Sequence, residues 1–129
     1  MRWTTKHYGI VKEAEPGTFY AKGVSAPTVM LDDDGWYIMY FAARDENGHY
    51  SIGFAKSPDG KFWTGEKQVM TYEDIIDDTG DRITKHVFQP WIVKSDGKYY
   101  LFVVAYRWYD PPGAWLQTIY VAISSDRED

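Results

Sequence analysis

The chain has 129 residues, of which 44% are hydrophobic and 18% aromatic, with a formal net charge of -5 and no cysteine. That length supports one domain, burying roughly two thirds of the surface its unfolded form exposes, and leaves little for a second core. The absent cysteines exclude disulfides and thiolate metal sites, and the negative charge without any basic stripe argues against a nucleic-acid backbone as partner.

Residues 2–12 carry charges from the start, with no continuous apolar region of the signal-peptide kind. They are expected to form a strand. Pro27 to Leu31 is the next predicted strand, followed by Asp34-Gly35 as a hairpin turn and by Trp36 to Ala43, a continuous apolar run of the type covered on both faces. A polar loop then leads to a strand at Tyr50 to Lys56, a turn at Asp59-Gly60, and a fourth strand at Lys61 to Met70. The acidic stretch Tyr72 to Asp81 is expected to be a solvated connection with at most one helical turn, at Glu73 to Asp78. Strands follow at Pro90 to Lys94, at Lys98 to Tyr106 after the Asp96-Gly97 turn, and at Leu116 to Ser124 after the loop RWYDPPGAW. The longest apolar run, Tyr99 to Tyr106, is too short to span a bilayer, so a soluble, cytoplasmic protein without membrane contact is expected.

The second half repeats the first. Gly35 matches Gly97, Tyr37 matches Tyr99, Ile52 matches Ile119, Ala55 matches Ala122, Ser57 matches Ser124 and Asp59 matches Asp126, at separations of 62 to 67 residues. Trp3 in the first segment takes the place of Trp63 in the fourth strand. The expected fold is all-β, a single domain 1–129 of two four-stranded antiparallel propeller blades, about 1–70 and 71–129, with residues 2–12 as an offset closing strand. Two blades cannot close a ring. Head-to-tail homo-oligomerisation is therefore expected, a trimer giving six blades in preference to a dimer giving four; a segment of a longer propeller is the competing explanation.

The ordered set of Trp3, GIV, GTFYAKGVSAPTVM, GWYIMYFAA, YSIGFAKSPDGKFW and VM resembles the blades of five-bladed propeller glycosidases, the arabinanase, xylosidase and levansucrase or invertase type of glycoside hydrolase families 43, 32 and 130. The resemblance implies three carboxylates on the innermost strands, close to the proline of strand one. Here Ser25, Ala26 and Thr28 flank Pro27, while Phe88, Gln89 and Trp91 flank Pro90, and Tyr20 replaces an aspartate common in such enzymes. The fold transfers and the activity does not.

In a propeller, the loops from strand two to strand three lie at the same end as the starts of strand one, where ligands gather. That end is expected to hold Arg44, Asp45, Glu46, Asn47 and His49 from the first unit, and His86, Gln89, Arg107, Trp108, Tyr109, Asp110 and Trp115 from the second. Flat rings with Arg, Asp and Gln suit a sugar. A rigid loop packing its tryptophans on a neighbour is the competing use of RWYDPPGAW. If the protein is an enzyme, Asp45, Glu46 and Asp110 are the acids available; otherwise no catalytic residue is expected. LDDDG, Leu31 to Gly35, has a calcium-like composition but lacks the ligand spacing, so a solvated turn is expected. His7, His49 and His86 do not have metal-ligand spacing, and neither metal nor cofactor is expected. The sequence favours a carbohydrate or similar small polar ligand bound without family-type catalysis, over a glycoside hydrolase with loop acids and over a structural or protein-interaction module.

Overall fold

The structure is a computed structural model that describes residues 10–75, 83–109 and 112–129, with residues 83–85 and 108 described by their backbone. It is all-β. Strands β1 (Gly23–Leu31), β2 (Tyr37–Arg44), β3 (Tyr50–Ser57) and β4 (Thr64–Met70) form one antiparallel sheet in chain order, here called sheet A. Strands β5 (Ile83–Ser95), β6 (Lys98–Tyr109) and β7 (Ala114–Ser124) form sheet B, again antiparallel and in chain order. Between the sheets, Tyr72–Asp74 makes a 3-10 turn capped by Thr71, whose hydroxyl accepts from the Glu73 amide.

The turns follow from local chemistry. Asp34-Gly35 closes β1 on β2, with Gly35 at φ 86°, and Asp96-Gly97 closes β5 on β6, at φ 51° and 74°. Left-handed backbone is open to glycine and tolerated by aspartate, which is why this pair recurs. At Asp59 the carboxylate accepts from the amides of Lys61 and Phe62, at 2.8 and 3.0 Å, and holds the chain before Trp63 turns back onto the sheet.

One irregularity appears twice. In β1 three residues, Ser25 to Thr28, pass while β2 advances two, from Ala42 to Tyr40. In β5 the steps from Phe88 to Trp91 meet two on β6, from Val104 to Phe102. Each is a β-bulge placed at the proline, and the residue before it is left-handed, Ala26 at φ 48° and Gln89 at φ 52°. The strands therefore begin earlier than the prolines: each proline sits inside an edge strand, where a missing N–H breaks no ladder.

Sheet B packs across one face of sheet A, with β5 against β1, β2 and β3. Ile38, Tyr40, Ile52 and Phe54 from sheet A meet Val87, Ile92, Leu101 and Val103 from sheet B in the main core. Each fully buried side chain of this size contributes about 1.5–3 kcal/mol. The far face of sheet A carries a second cluster, Met39, Phe41, Ala43 and Ala55, closed by Phe19, Tyr20 and Trp63. Lys12 belongs to this closure: its ammonium lies 4.2 Å from the Tyr20 ring centre and 3.0 Å from Glu66 of β4. Of the expected closing strand 2–12, residues 2–9 lie outside the described residues, and residues 10–12 carry no strand.

The triple aspartate departs from expectation. Asp32 is not solvated; it is 5% exposed and ties the two sheets together. Lys94 Nζ lies 2.6 Å from Oδ1, Arg127 donates to Oδ2 at 2.9 Å, and the Tyr99 hydroxyl donates to the same oxygen. Burial alone would raise this carboxyl's pKa, but the hydrogen bonds from Lys94, Tyr99 and Arg127 outweigh it and hold the group well below the usual carboxylate range. Tyr40, buried in the core, donates to the Arg127 carbonyl and so fixes the C-terminal turn from the other side.

Candidate functional site

The two bulges face one another across the end of the inter-sheet cleft. Between them lies a concave pocket of about 540 Å³, lined by Ser25 and Ala26 of β1, Ala42 of β2, Tyr50 of β3, His86, Phe88 and Gln89 of β5, and Tyr106 of β6. Its volume is within the usual range for small-molecule sites. Bulges bend a strand and re-aim its side chains, and here both bend at the pocket wall.

Aromatic rings form one side of the pocket. The ring centres of Tyr50 and Phe88 are 5.9 Å apart, those of Phe88 and Tyr106 5.8 Å, and those of Tyr50 and His86 5.8 Å. His86 joins the sheets through its Nδ1, which accepts from the Tyr50 amide at 3.2 Å. An accepting Nδ1 leaves the ring proton of the neutral form on Nε2. Desolvation by burial pushes the His86 pKa down, and the His49 ring, 5.7 Å away, and the Arg44 charge act in the same direction. Neutral imidazole is thus the favoured form.

The β2–β3 loop lies at the same end. Asp45 Oδ1 accepts from the amides of Asn47 and His49, both at 2.9 Å, and the Gly48 amide donates to the Asp45 carbonyl at 3.0 Å. This carboxylate shapes its own turn. Glu46 is exposed at the tip. Arg44 lays its guanidinium 5.9 Å from the Tyr50 ring centre. Of the expected site residues, the fold gathers Arg44, Asp45, His49, His86 and Gln89 at one end, with His86 and Gln89 in the pocket wall itself.

The RWYDPPGAW segment is more regular than expected of a loop. Strand β6 continues to Tyr109 and β7 starts at Ala114, so Arg107 pairs with Leu116 and Trp108 with Trp115 in the ladder. The prolines and glycine suggested an open loop, but the strands persist almost to the turn. Arg107 packs its guanidinium 4.8 Å from the Tyr109 ring centre, and the Tyr109 hydroxyl lies 2.9 Å from the Thr118 hydroxyl. Neither they nor Trp115 line the pocket. Asp110 and the Trp108 side chain lie outside the described residues. Sequence reasoning missed Tyr50, Phe88 and Tyr106 as wall residues, because each was counted as a strand position rather than as part of the end of a cleft.

Among the described residues no group of three or more His, Asp or Glu side chains is placed to hold a metal ion. No helix among them is long and apolar enough to cross a membrane.

No protein-family profile matches the chain, and no curated protein matches its sequence. Solved structures do match. A candidate glycoside hydrolase from Bacteroides ovatus superposes with a TM-score of 0.72 at 20% identity, over 96% of this chain and 38% of that one. Zg3597, a family 117 glycoside hydrolase of the marine bacterium Zobellia galactanivorans, superposes at 0.60 with 17% identity, over 82% of this chain and 36% of the other. The family named there is 117, not the families 43, 32 or 130 that the motifs resemble. At these identities the likeness is one of fold, the chain spans little more than a third of each relative, and the fold is that of glycoside-hydrolase-like proteins.

Proposed function

We propose that the protein binds a saccharide in the pocket between the two bulged strands, and that sheets A and B are two blades of a β-propeller of the glycosidase type. The observation that carries this reading is the wall of Tyr50, His86, Phe88 and Tyr106, with Gln89 beside it, at the open end of a cleft in a glycosidase-like fold. Rings of this kind stack on the apolar faces of pyranoses, while the Gln89 amide offers both a donor and an acceptor to hydroxyl groups.

Binding is favoured over hydrolysis by what lines the pocket. Glycoside hydrolysis needs two carboxyl groups flanking the scissile bond. None is among the pocket-lining residues described, and Asp45 is engaged with backbone amides. The second reading, a glycoside hydrolase using Asp45, Glu46 and Asp110, is favoured by the fold relatives alone.

Fluorescence titration with a panel of oligosaccharides, run beside turnover of aryl glycosides, separates the two. The binding reading expects a saturable signal lost at least tenfold in affinity in Phe88→Ala and Gln89→Ala, with no turnover. Turnover abolished by Asp45→Asn or Asp110→Asn overturns it in favour of the enzyme.

A further inference from the structure

Strand β2 brings a cation to the mouth of the pocket. Along it Ile38, Tyr40, Ala42 and Arg44 alternate onto the face that sheet B covers, so Arg44 stands one step, ~7 Å, beyond the pocket residue Ala42. In the ladder Arg44 is flanked by Gly23 of β1 and Tyr50 of β3. Gly23 has no side chain to cover it, and Tyr50 is a wall residue whose ring centre lies 5.9 Å from the guanidinium carbon. Both β2 and β3 are inner strands of sheet A, and β5 packs against each of them. The position therefore belongs to the cleft between the sheets, not to a sheet edge or an outer face.

The charge has no counterpart within the fold. Lys12, Lys94 and Arg127 each meet a carboxylate, at 3.0, 2.6 and 2.9 Å, whereas Arg44 is exposed and has no ion-pair partner among the described residues. Its neighbour in the chain, Asp45, is held otherwise: Oδ1 accepts from the amides of Asn47 and His49, both at 2.9 Å, whose dipoles offset the negative charge. A guanidinium beside an aromatic ring keeps its N–H groups for an anion and is more weakly hydrated than an ammonium, so bringing an anion to it costs less.

His86 offers a second donor around the same ring. Its centre is 5.8 Å from that of Tyr50, its Nδ1 accepts from the Tyr50 amide, and the proton left on Nε2 has no acceptor among the described residues. No carboxylate is among the described residues that line the pocket to oppose an anion.

We propose that the saccharide taken by this pocket is acidic, a sugar whose carboxylate or sulfate group is held by the Arg44 guanidinium while its ring lies against Tyr50 and Phe88. This rests on the saccharide reading of the pocket and adds the charge of the ligand to it. Carboxylate and sulfate share the chemistry that matters, two oxygens of one anion within reach of one guanidinium fork. The Nε2–H of His86 donates to a hydroxyl beside the anion.

Calorimetric titration of the whole chain with neutral galacto-oligosaccharides, oligogalacturonates and sulfated galacto-oligosaccharides tests the proposal, with the ratio of acidic to neutral affinity as the readout. One acidic series should bind about tenfold or more tighter than the neutral one, as a charge-assisted hydrogen bond allows. Which series does so assigns the group as carboxylate or sulfate. The advantage should shrink as salt is added, because charges at an open mouth are screened. Arg44→Gln should remove most of it, and Arg44→Lys, which keeps the charge and loses the fork, should keep part. A ratio that Arg44→Gln leaves unchanged overturns the proposal, since an arginine that merely supports the Tyr50 ring would weaken both kinds of sugar alike. Neutral sugars binding as tightly as acidic ones overturn it too, with the saccharide reading intact; silence towards all three series overturns both.

Discussion

His86 shows how one side chain can belong both to the fold and to the site. Its Nδ1 receives the Tyr50 amide, and its ring forms part of the pocket wall. Because burial, His49 and Arg44 push its pKa below the ordinary value of about 6.5, the folded protein keeps it neutral while the unfolded chain takes up a proton first. Stability from this residue is full above the ordinary pKa and is lost as pH falls through that value towards the lower folded one. Thermal melts in a pH series should show that decline, and the His86→Asn variant should flatten it. The left-handed residues make a second point at this scale. Ala26 lacks the amide that lets asparagine tolerate φ 48°, and such backbone costs an alanine about 1 kcal/mol. Ala26→Gly is therefore expected to raise Tm by several degrees, in contrast to the usual penalty for glycine in a strand. An unchanged or lower Tm would mean that the bulge is not strained.

Among the elements, the strands were largely legible and their joints were not. Continuous apolar runs and Asp-Gly pairs marked β2, β3, β6 and most of β7 because period and turn chemistry are local properties. The bulges left no such mark, since neither alanine nor glutamine advertises left-handed backbone, and Pro27 and Pro90 looked like strand openings rather than strand interiors. The inter-sheet lock was equally hidden. Asp32 lies in a turn that local chemistry explains completely, while its partners Lys94, Tyr99 and Arg127 are 62, 67 and 95 residues away. Removing its charge takes away the buried acceptor that Lys94, Tyr99 and Arg127 share, while Lys94 keeps Asp33 at 2.9 Å and Arg127 keeps Asp34 at 2.7 Å, so Asp32→Asn should lower stability by about 1–3 kcal/mol in denaturant melts. Its carboxyl is held below the usual range, so the stabilisation is present above pH ~4 and is lost as the pH falls below it. The variant should therefore unfold less steeply with acid than the parent.

For the molecule as a whole, the repeat was the most informative feature of the sequence, because two copies of one sheet imply one way of stacking. It led to an all-β fold with the right sheet order, and it placed Arg44, Asp45, His49, His86 and Gln89 at one end of the molecule, where the structure also has them. The pocket wall itself required the packing of β5 across sheet A, which depends on the relative rotation of the two units and has no local signature. Within RWYDPPGAW, Arg107 to Tyr109 and Ala114 to Trp115 belong to the β6–β7 ladder of sheet B rather than to an open loop. The central claim is that a saccharide sits between the two bulges. The most direct measurement is backbone amide NMR during titration with an oligosaccharide panel: saturable shifts should cluster at Ser25, Ala26, Tyr50, His86 and Gln89, whereas shifts confined to the β6–β7 turn, or scattered without saturation for every sugar, would contradict the account.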